Sequence, residues 1–169
     1  MARPGTLRYV DPHAPRGRLY LAVAKLSTTD LAGRISRRIS WKVDPLLLRI
    51  TNGRFSTAAP LSAALLETTG ARTGERRRTA TLYFHDGNRV TIIPSYRGEP
   101  RHPAWYHNIK AHPDVTFGGL PFRAQVVTDE HERERLWALA DQVYPAFAEF
   151  RGRAQAANRT IPIVQLTPR

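Results

Sequence analysis

Cysteine is absent from the 169 residues, which removes disulfides, thiol nucleophiles and every thiolate metal site, and fits a reducing compartment. Long apolar runs are absent too: the best stretch, residues 19–26, is short and already holds Lys25, whereas a membrane-spanning helix needs roughly 20 apolar residues. The N-terminus lacks the basic, apolar and small-residue order of a secretory signal, because Pro4, Asp11, Pro12 and Pro15 interrupt it, so a non-secreted, cytoplasmic protein is expected. No Gly-x-Gly-x-x-Gly opens a helix and no Gly-Lys-Ser/Thr ends a glycine loop, so neither a Rossmann nor a Walker phosphate site is expected. Among the histidines only His102 and His107 approach helical spacing, with no carboxylate at ligand intervals, and no metal is expected. Ser95 lacks the Gly-x-Ser-x-Gly elbow of a hydrolase nucleophile.

Acidic residues are also scarce, 14 against 26 Lys and Arg, for a net charge of +12. A neutral partner is not the obvious one. With 41% apolar and 24% charged residues in 19.1 kDa, the composition is that of one folded domain with room for an arm. The charge is uneven: residues 1–60 hold eleven Lys and Arg against three Asp, residues 61–169 fifteen against eleven acids. This predicts a basic N-terminal extension over residues 1–40, attached to a more balanced domain over residues 41–169. Within the extension, Thr28, Thr29 and Asp30 read as helix-start residues for an amphipathic helix carrying Leu31, Ile35 and Ile39, stopped by Asp44-Pro45. Arg34, Arg37, Arg38 and Trp41 share an arc beside that stripe. The stronger reading is a solvated face on a helix packed against its own domain; peripheral contact with anionic lipid at the inner face of the plasma membrane is the next, and no specific nucleic-acid motif accompanies the charge.

From residue 61 the pattern changes to strand periods, over residues 61–69, 78–84, 89–95, 115–117, 122–128 and 161–167. Asp86-Gly87-Asn88 and Gly118-Gly119 are hairpin turns. A short helix is expected over residues 103–110 and a longer one over residues 129–147, with acids in its first turn. Neighbouring strands joined by tight turns predict an α+β fold: a mostly antiparallel sheet closed as a small barrel, flanked by a few helices that cover its openings.

Two loops carry the chemistry. The run Thr68-Thr69-Gly70-Ala71-Arg72-Thr73-Gly74-Glu75-Arg76-Arg77-Arg78 combines turn glycines, hydroxyls and planar guanidinium forks suited to phosphate or carboxylate oxygens. A solvated surface hairpin has the same composition, so this loop alone decides nothing. The second loop, residues 94–103, enters a helix through Ala104-Trp105-Tyr106-His107-Asn108. Ser95 and Tyr96 offer hydroxyls, the helix start offers free N–H groups, and Trp105 and Tyr106 form either a flat wall for a planar ring or ordinary core.

Taken together and in order, Leu65 to Gly74, the Leu82-Tyr83-Phe84-x-Asp86-Gly87 run, Ser95 through Asn108, and Arg159-Thr160-Ile161-Pro162-Ile163 resemble the deazaflavin-dependent nitroreductase family. The resemblance runs from about Trp41 to the C-terminus. It implies a split β-barrel like that of flavin-binding, pyridoxamine-phosphate-oxidase-like proteins, and a reductase using the reduced deazaflavin coenzyme F420, with no metal. It further implies that the Arg72-Thr73 position, with Arg77 or Arg78, meets the coenzyme's acidic tail and phosphate. Ser95, Tyr96 and Arg97 would approach the ring, with Ala104, Trp105, Tyr106 and Asn108 beside it. The substrate pocket would lie at Tyr144, Phe147 and Phe150, where the best-known members carry three tyrosines; here only Tyr144 keeps a hydroxyl that could donate a proton. The expected reaction is hydride transfer to a planar, electron-poor quinone or enone rather than nitroimidazole activation. A homodimer is compatible with this reading. The alternatives are a flavin- or haem-binding protein on the same barrel, and a non-catalytic basic module for lipid or nucleic acid.

Overall fold

A computed structural model gives the structure over residues 7–29, 43 and 61–169. The expected helix carrying Leu31, Ile35, Ile39 and the Arg34, Arg37, Arg38 and Trp41 arc lies outside the described residues. Residues 18–26 form a helix the sequence reading had treated only as an apolar stretch: α1, Arg18–Leu26. Thr28 and Thr29 do not begin a helix within the described residues; their hydroxyls donate back to the Lys25 and Leu26 carbonyls at the end of α1, both at 2.8 Å.

Six strands follow: β1 (Ala63–Thr69), β2 (Arg76–Asp86), β3 (Arg89–Ile92), β4 (Asp114–Phe117), β5 (Leu120–Val126) and β6 (Val164–Pro168). They close into an antiparallel barrel in the order β1-β2-β3-β6-β5-β4, as the tight turns predicted. Register decides which side chains face inward. Leu66 opposes Phe117 and Thr79, Tyr83 opposes Ile92, and Val90 opposes Leu166, which opposes Ala124. These residues fall on one set of alternating positions around the barrel, and Leu66, Ile92, Phe117 and Leu166 are fully buried there. Turn chemistry fixes that register: Gly87 takes φ +61° between β2 and β3, and Gly118 and Gly119 take φ +57° and +86° between β4 and β5, values that cost L side chains strain.

Helix α2 (Ala104–Ala111) lies against β1 and β5 at one end of the barrel. The single helix expected over residues 129–147 is two, α3 (Glu130–Val143) and α4 (Ala146–Ala156). Pro145 is the reason: its ring disfavours the helical region for the preceding residue, and Tyr144 is extended at φ −145°, ψ 90°. At the start of α3 the Asp129 carboxylate caps the helix, accepting from the Glu132 backbone N–H at 2.8 Å. The strand boundaries also shift. β2 begins at Arg76, so the three consecutive arginines stand on a strand rather than in a loop.

The N-terminal segment packs on the barrel. Val10 exchanges two bonds with His85, its carbonyl accepting from the His85 N–H at 2.9 Å and its N–H donating to Nδ1 at 3.0 Å. The Tyr83 hydroxyl donates to the Arg8 carbonyl at 2.7 Å and the Tyr20 hydroxyl to the Val143 carbonyl at 2.6 Å.

Candidate functional site

The first loop is tied to α2, the helix that the second loop enters. Asn108, buried on α2, makes the link: its Oδ1 accepts from the Ala71 N–H at 3.0 Å and its Nδ2 donates to Thr68 Oγ1 at 3.0 Å. Both ends of the amide are spent inside the protein, so Asn108 positions the Gly70–Glu75 turn. That turn is closed by Gly70 N–H to the Glu75 carbonyl at 2.8 Å and by Gly74 N–H to the Gly70 carbonyl at 2.9 Å. A Cβ on Gly70 would lie 2.7 Å from Thr73 Oγ1 and 3.3 Å from the Glu75 carbonyl oxygen, so a larger residue would have to turn the threonine side chain aside.

Arg72 and Thr73 stand exposed at the tip. Along β2 the arginines alternate. Arg78 opposes Glu67 and donates to it at 2.8 Å, with Arg76 at 3.9 Å from the same carboxylate. Arg77 opposes Thr68 and therefore shares the inward-facing set of positions that carries Thr68, at the mouth Asn108 spans. Its exposed pair with Glu75, at 2.6 Å, holds weakly in water. Register thus separates Arg77 from Arg76 and Arg78, which composition could not do.

The second loop is held in an uncommon conformation. Tyr96, Arg97 and Gly98 all have positive φ, at +46°, +57° and +79°, and the first two are side-chain-bearing residues for which this costs energy. Gly98 is required: a Cβ there would sit 2.6 Å from the Phe150 carbonyl oxygen. Ser95 is half-buried and Tyr96 is 39% exposed. Arg97 donates to the Thr29 carbonyl at 3.0 Å and lies 5.5 Å from the Phe150 ring centre. Ala104 is exposed at the start of α2 and Trp105 half-buried, while Tyr106 is buried against His102, with ring centres 4.8 Å apart. Tyr106 is therefore packed as core, and burial raises its hydroxyl pKa.

Tyr144, Phe147 and Phe150 form one aromatic cluster at the α3–α4 corner, only 4%, 4% and 3% exposed. Tyr144 meets Phe147 edge-on at 5.0 Å and Phe150 at 6.2 Å. Its hydroxyl contacts the Ser27 hydroxyl, which donates onward to the Ala24 carbonyl. Burial raises the Tyr144 pKa, opposed by the Ser27 bond and the Arg97 charge, so the phenol stays protonated at neutral pH.

Two further residues matter here: Ser27, which belongs to no motif in the sequence, and Arg159, which opens the Arg159–Ile163 motif without a site role assigned to it. Arg159 follows Asn158, whose positive φ of +54° ends α4, and its buried guanidinium donates to the carbonyls of Pro94, Ser95 and Glu99. A lone arginine between a helix end and the apolar run from Ile161 was the available signal. Among the described residues no group of three His, Asp or Glu could hold a metal ion, and no helix is long and apolar enough to cross a membrane.

A closed antiparallel barrel of six strands with helices packed against it is of the split-barrel class. The model of the F420H(2)-dependent quinone reductase family matches residues 45–168, and the chain belongs to that family. It is 36% identical over 150 residues to an F420H(2)-dependent quinone reductase of Mycobacterium tuberculosis, covering 80% of this chain and 99% of that one. Among solved structures, an F420-H2 dependent reductase aligns with a TM-score of 0.54 at 32% identity, over 62% of this chain and 92% of that chain. A structure described as a domain-swapped dimer aligns at 0.55 and 27% identity, over 74% and 96%. The protein is thus an F420-dependent oxidoreductase on a split barrel, as the motif order implied.

The residues present suit that coenzyme. Arg72 has no ion-pair partner among the described residues, and the guanidinium set around the Gly70–Glu75 turn is the donor chemistry an acidic tail requires.

Proposed function

We propose that the α2 mouth of the barrel binds reduced F420 and that the protein passes hydride to a quinone or a related enone. In this reading Arg72, Thr73, Arg77 and Arg78 hold the acidic tail and phosphate, Ser95, Tyr96 and Arg97 line the ring, and Ala104, Trp105, Tyr106 and Asn108 support the opposite wall. The observation that carries the reading is the Asn108 bridge, which brings the basic turn and the ring-facing helix to one mouth. When bound, the reduced deazaflavin supplies the hydride, so the chain needs no nucleophile of its own.

The protein's work is then orientation and water exclusion. In this reading the acceptor lies against the α3–α4 corner, and the packed cluster of Tyr144, Phe147 and Phe150 forms the apolar backing of that site. Tyr144 is the one hydroxyl of that cluster and serves as the proton donor, its raised pKa keeping the proton in place. Because the acceptor is apolar, we extend the reading to a cytoplasmic enzyme with peripheral contact to anionic lipid. Leu19 and Leu26 are exposed on α1 beside Arg18 and Lys25, which supports that contact. A homodimer is part of the proposal, on the likeness to the domain-swapped relative.

The test is a fluorescence titration of the purified protein with reduced and oxidised F420, followed by a panel of quinones, enones and nitroimidazoles. Saturable binding weakened by salt and turnover of menadione are expected. Equal or tighter binding of flavin mononucleotide would refute the coenzyme assignment. Co-sedimentation with phosphatidylglycerol vesicles, absent with phosphatidylcholine, tests the lipid contact.

A further inference from the structure

The ring-facing loop is strained, and something must over-determine it. Two contacts act on single points: Arg97 donates to the Thr29 carbonyl, and Gly98 sits beneath the Phe150 carbonyl. Arg159 acts on the whole loop. It is 6% exposed, with Nη1 donating to the Ser95 carbonyl at 3.0 Å and the Glu99 carbonyl at 2.7 Å, Nη2 to the Pro94 carbonyl, and Nε to His102 Nδ1 at 3.2 Å. The acceptors come from both flanks of the Tyr96–Gly98 turn and from the residue two before α2.

A planar fork is the side chain suited to this task, because its donors diverge at fixed angles and engage several carbonyls at once. A lysine ammonium in the same place is a single point. The Nε bond also requires an unprotonated His102 Nδ1, so the His102 proton sits on Nε2. Burial, Arg159, His107 and Lys110 all hold the His102 pKa below its ordinary value, which keeps that acceptor available at neutral pH. Among the described residues no carboxylate forms an ion pair with Arg159, so its charge is met by neutral acceptors; burial accordingly lowers its pKa.

We propose that Arg159 is a positioning residue for the hydride-transfer step: it fixes the Pro94–Glu99 backbone on which Ser95, Tyr96 and Arg97 face the coenzyme ring. The inference rests on the functional reading above in assuming that this loop faces the ring. The tail contacts on the Gly70–Glu75 turn and β2 are independent of Arg159, so coenzyme capture and ring alignment separate in experiment.

The test compares full-length parent, Arg159→Lys and Arg159→Gln by amide hydrogen exchange of peptides over residues 94–102, by F420 titration, and by menadione kinetics. For Arg159→Lys the expected result is faster exchange, by about tenfold or more, in that loop and not in the barrel strands. F420 affinity should change less than about threefold, and kcat should fall about tenfold to a hundredfold at an unchanged quinone KM. Arg159→Gln should lose as much kcat or more. Exchange in the loop unchanged from the parent, or kcat within about twofold of it, overturns the proposal. So does acceleration spread evenly over all strands with kcat and affinity falling together, the mark of a structural role only. If neither variant folds, His102→Ala, which removes one acceptor at a half-buried side chain, must speed exchange in residues 94–102 alone; an unchanged loop there also overturns it. If the parent binds no F420, the functional reading fails, while the exchange comparison still decides whether Arg159 sets the loop.

Discussion

The Tyr144 hydroxyl meets the Ser27 hydroxyl across 117 residues of sequence, and because Ser27 donates to the Ala24 carbonyl, the phenol proton points at Ser27. On the proposed reading, the acid that would serve an acceptor at the aromatic cluster is therefore engaged by the N-terminal segment. Ser27→Ala removes the competing acceptor. The expected outcome is a kcat for menadione equal to or a few-fold above the parent, with stability lower by about 1 kcal/mol for the lost hydrogen bond. Tyr144→Phe should lower kcat by roughly a hundredfold at little cost in F420 affinity. Stopped-flow turnover and thermal melting check both, and an unaltered kcat in Tyr144→Phe removes it as proton donor.

The same N-terminal segment carries a pH dependence at its other end. His85 Nδ1 accepts from the Val10 N–H, and the ring lies 4.5 Å from Tyr9 and 5.7 Å from Tyr83, with Val90 opposite it in the sheet. Burial lowers the His85 pKa. A depressed folded-state value means that the unfolded chain binds the proton more readily. The contribution is full above the ordinary imidazole pKa of about 6.5 and is lost as the pH falls from there through the folded value. The protection of the Val10 amide, measured relative to its intrinsic exchange rate, should fall between neutral and mildly acidic pH, ahead of that of the barrel strands. His85→Phe should abolish that dependence.

Gly98 and Gly87 share a positive φ but differ in surroundings. A Cβ on Gly98 meets the Phe150 carbonyl oxygen at 2.6 Å, while one on Gly87 meets nothing within 4 Å. Gly87→Ala should cost about 1 kcal/mol, the backbone strain alone. Gly98→Ala must also move α4 or the loop, and should cost about 3 kcal/mol or more and weaken F420 binding. For a chain of this size each kcal/mol is worth roughly 3 °C in Tm, so differential melting separates the two.

Register distinguishes the arginines. Arg77→Ala should weaken F420 binding by about tenfold or more, the worth of one charge-assisted bond, and flatten its salt dependence. Arg78→Ala, which loses mainly the bond to Glu67, should cost less than Arg77→Ala in the same titration.

The barrel was legible because its determinants are local. Strand alternation around Leu66, Tyr83 and Leu166, and glycines at the hairpins, act over a few residues each. The α3–α4 break was legible in principle, since Pro145 marks it, but the apolar spacing through Phe147 hid it. The sequence places Asn108 beside the coenzyme, and the structure adds a link from its amide to the Gly70–Glu75 turn. That link depends on a contact 40 residues away in sequence, which no local pattern encodes. The role of Arg159, which the sequence shows only as the first residue of a motif, and that of Ser27, which no motif contains, are not local either: their partners are 57 to 65 and 117 residues distant.

On the proposed reading, the two phenylalanines limit the choice of acceptor. Phe147 packs edge-on against Tyr144 at 5.0 Å and Trp137 at 6.2 Å, and Phe150 lies beneath the Arg97 and Arg153 guanidinium groups. Neither ring can donate a proton, so an acceptor that needs more than the Tyr144 hydroxyl is poorly served. Menadione should turn over and nitroimidazoles should not. Phe147→Tyr restores one hydroxyl in a buried setting, and lowers stability by about 1–3 kcal/mol if that group finds no partner. With a nitroimidazole bound, the new hydroxyl gains an acceptor. The variant should therefore show a lower Tm than the parent but measurable nitroimidazole reduction, read as loss of F420H2 absorbance. Nitroimidazole turnover by the parent, equal to its menadione turnover, would show that the missing hydroxyls do not set the acceptor.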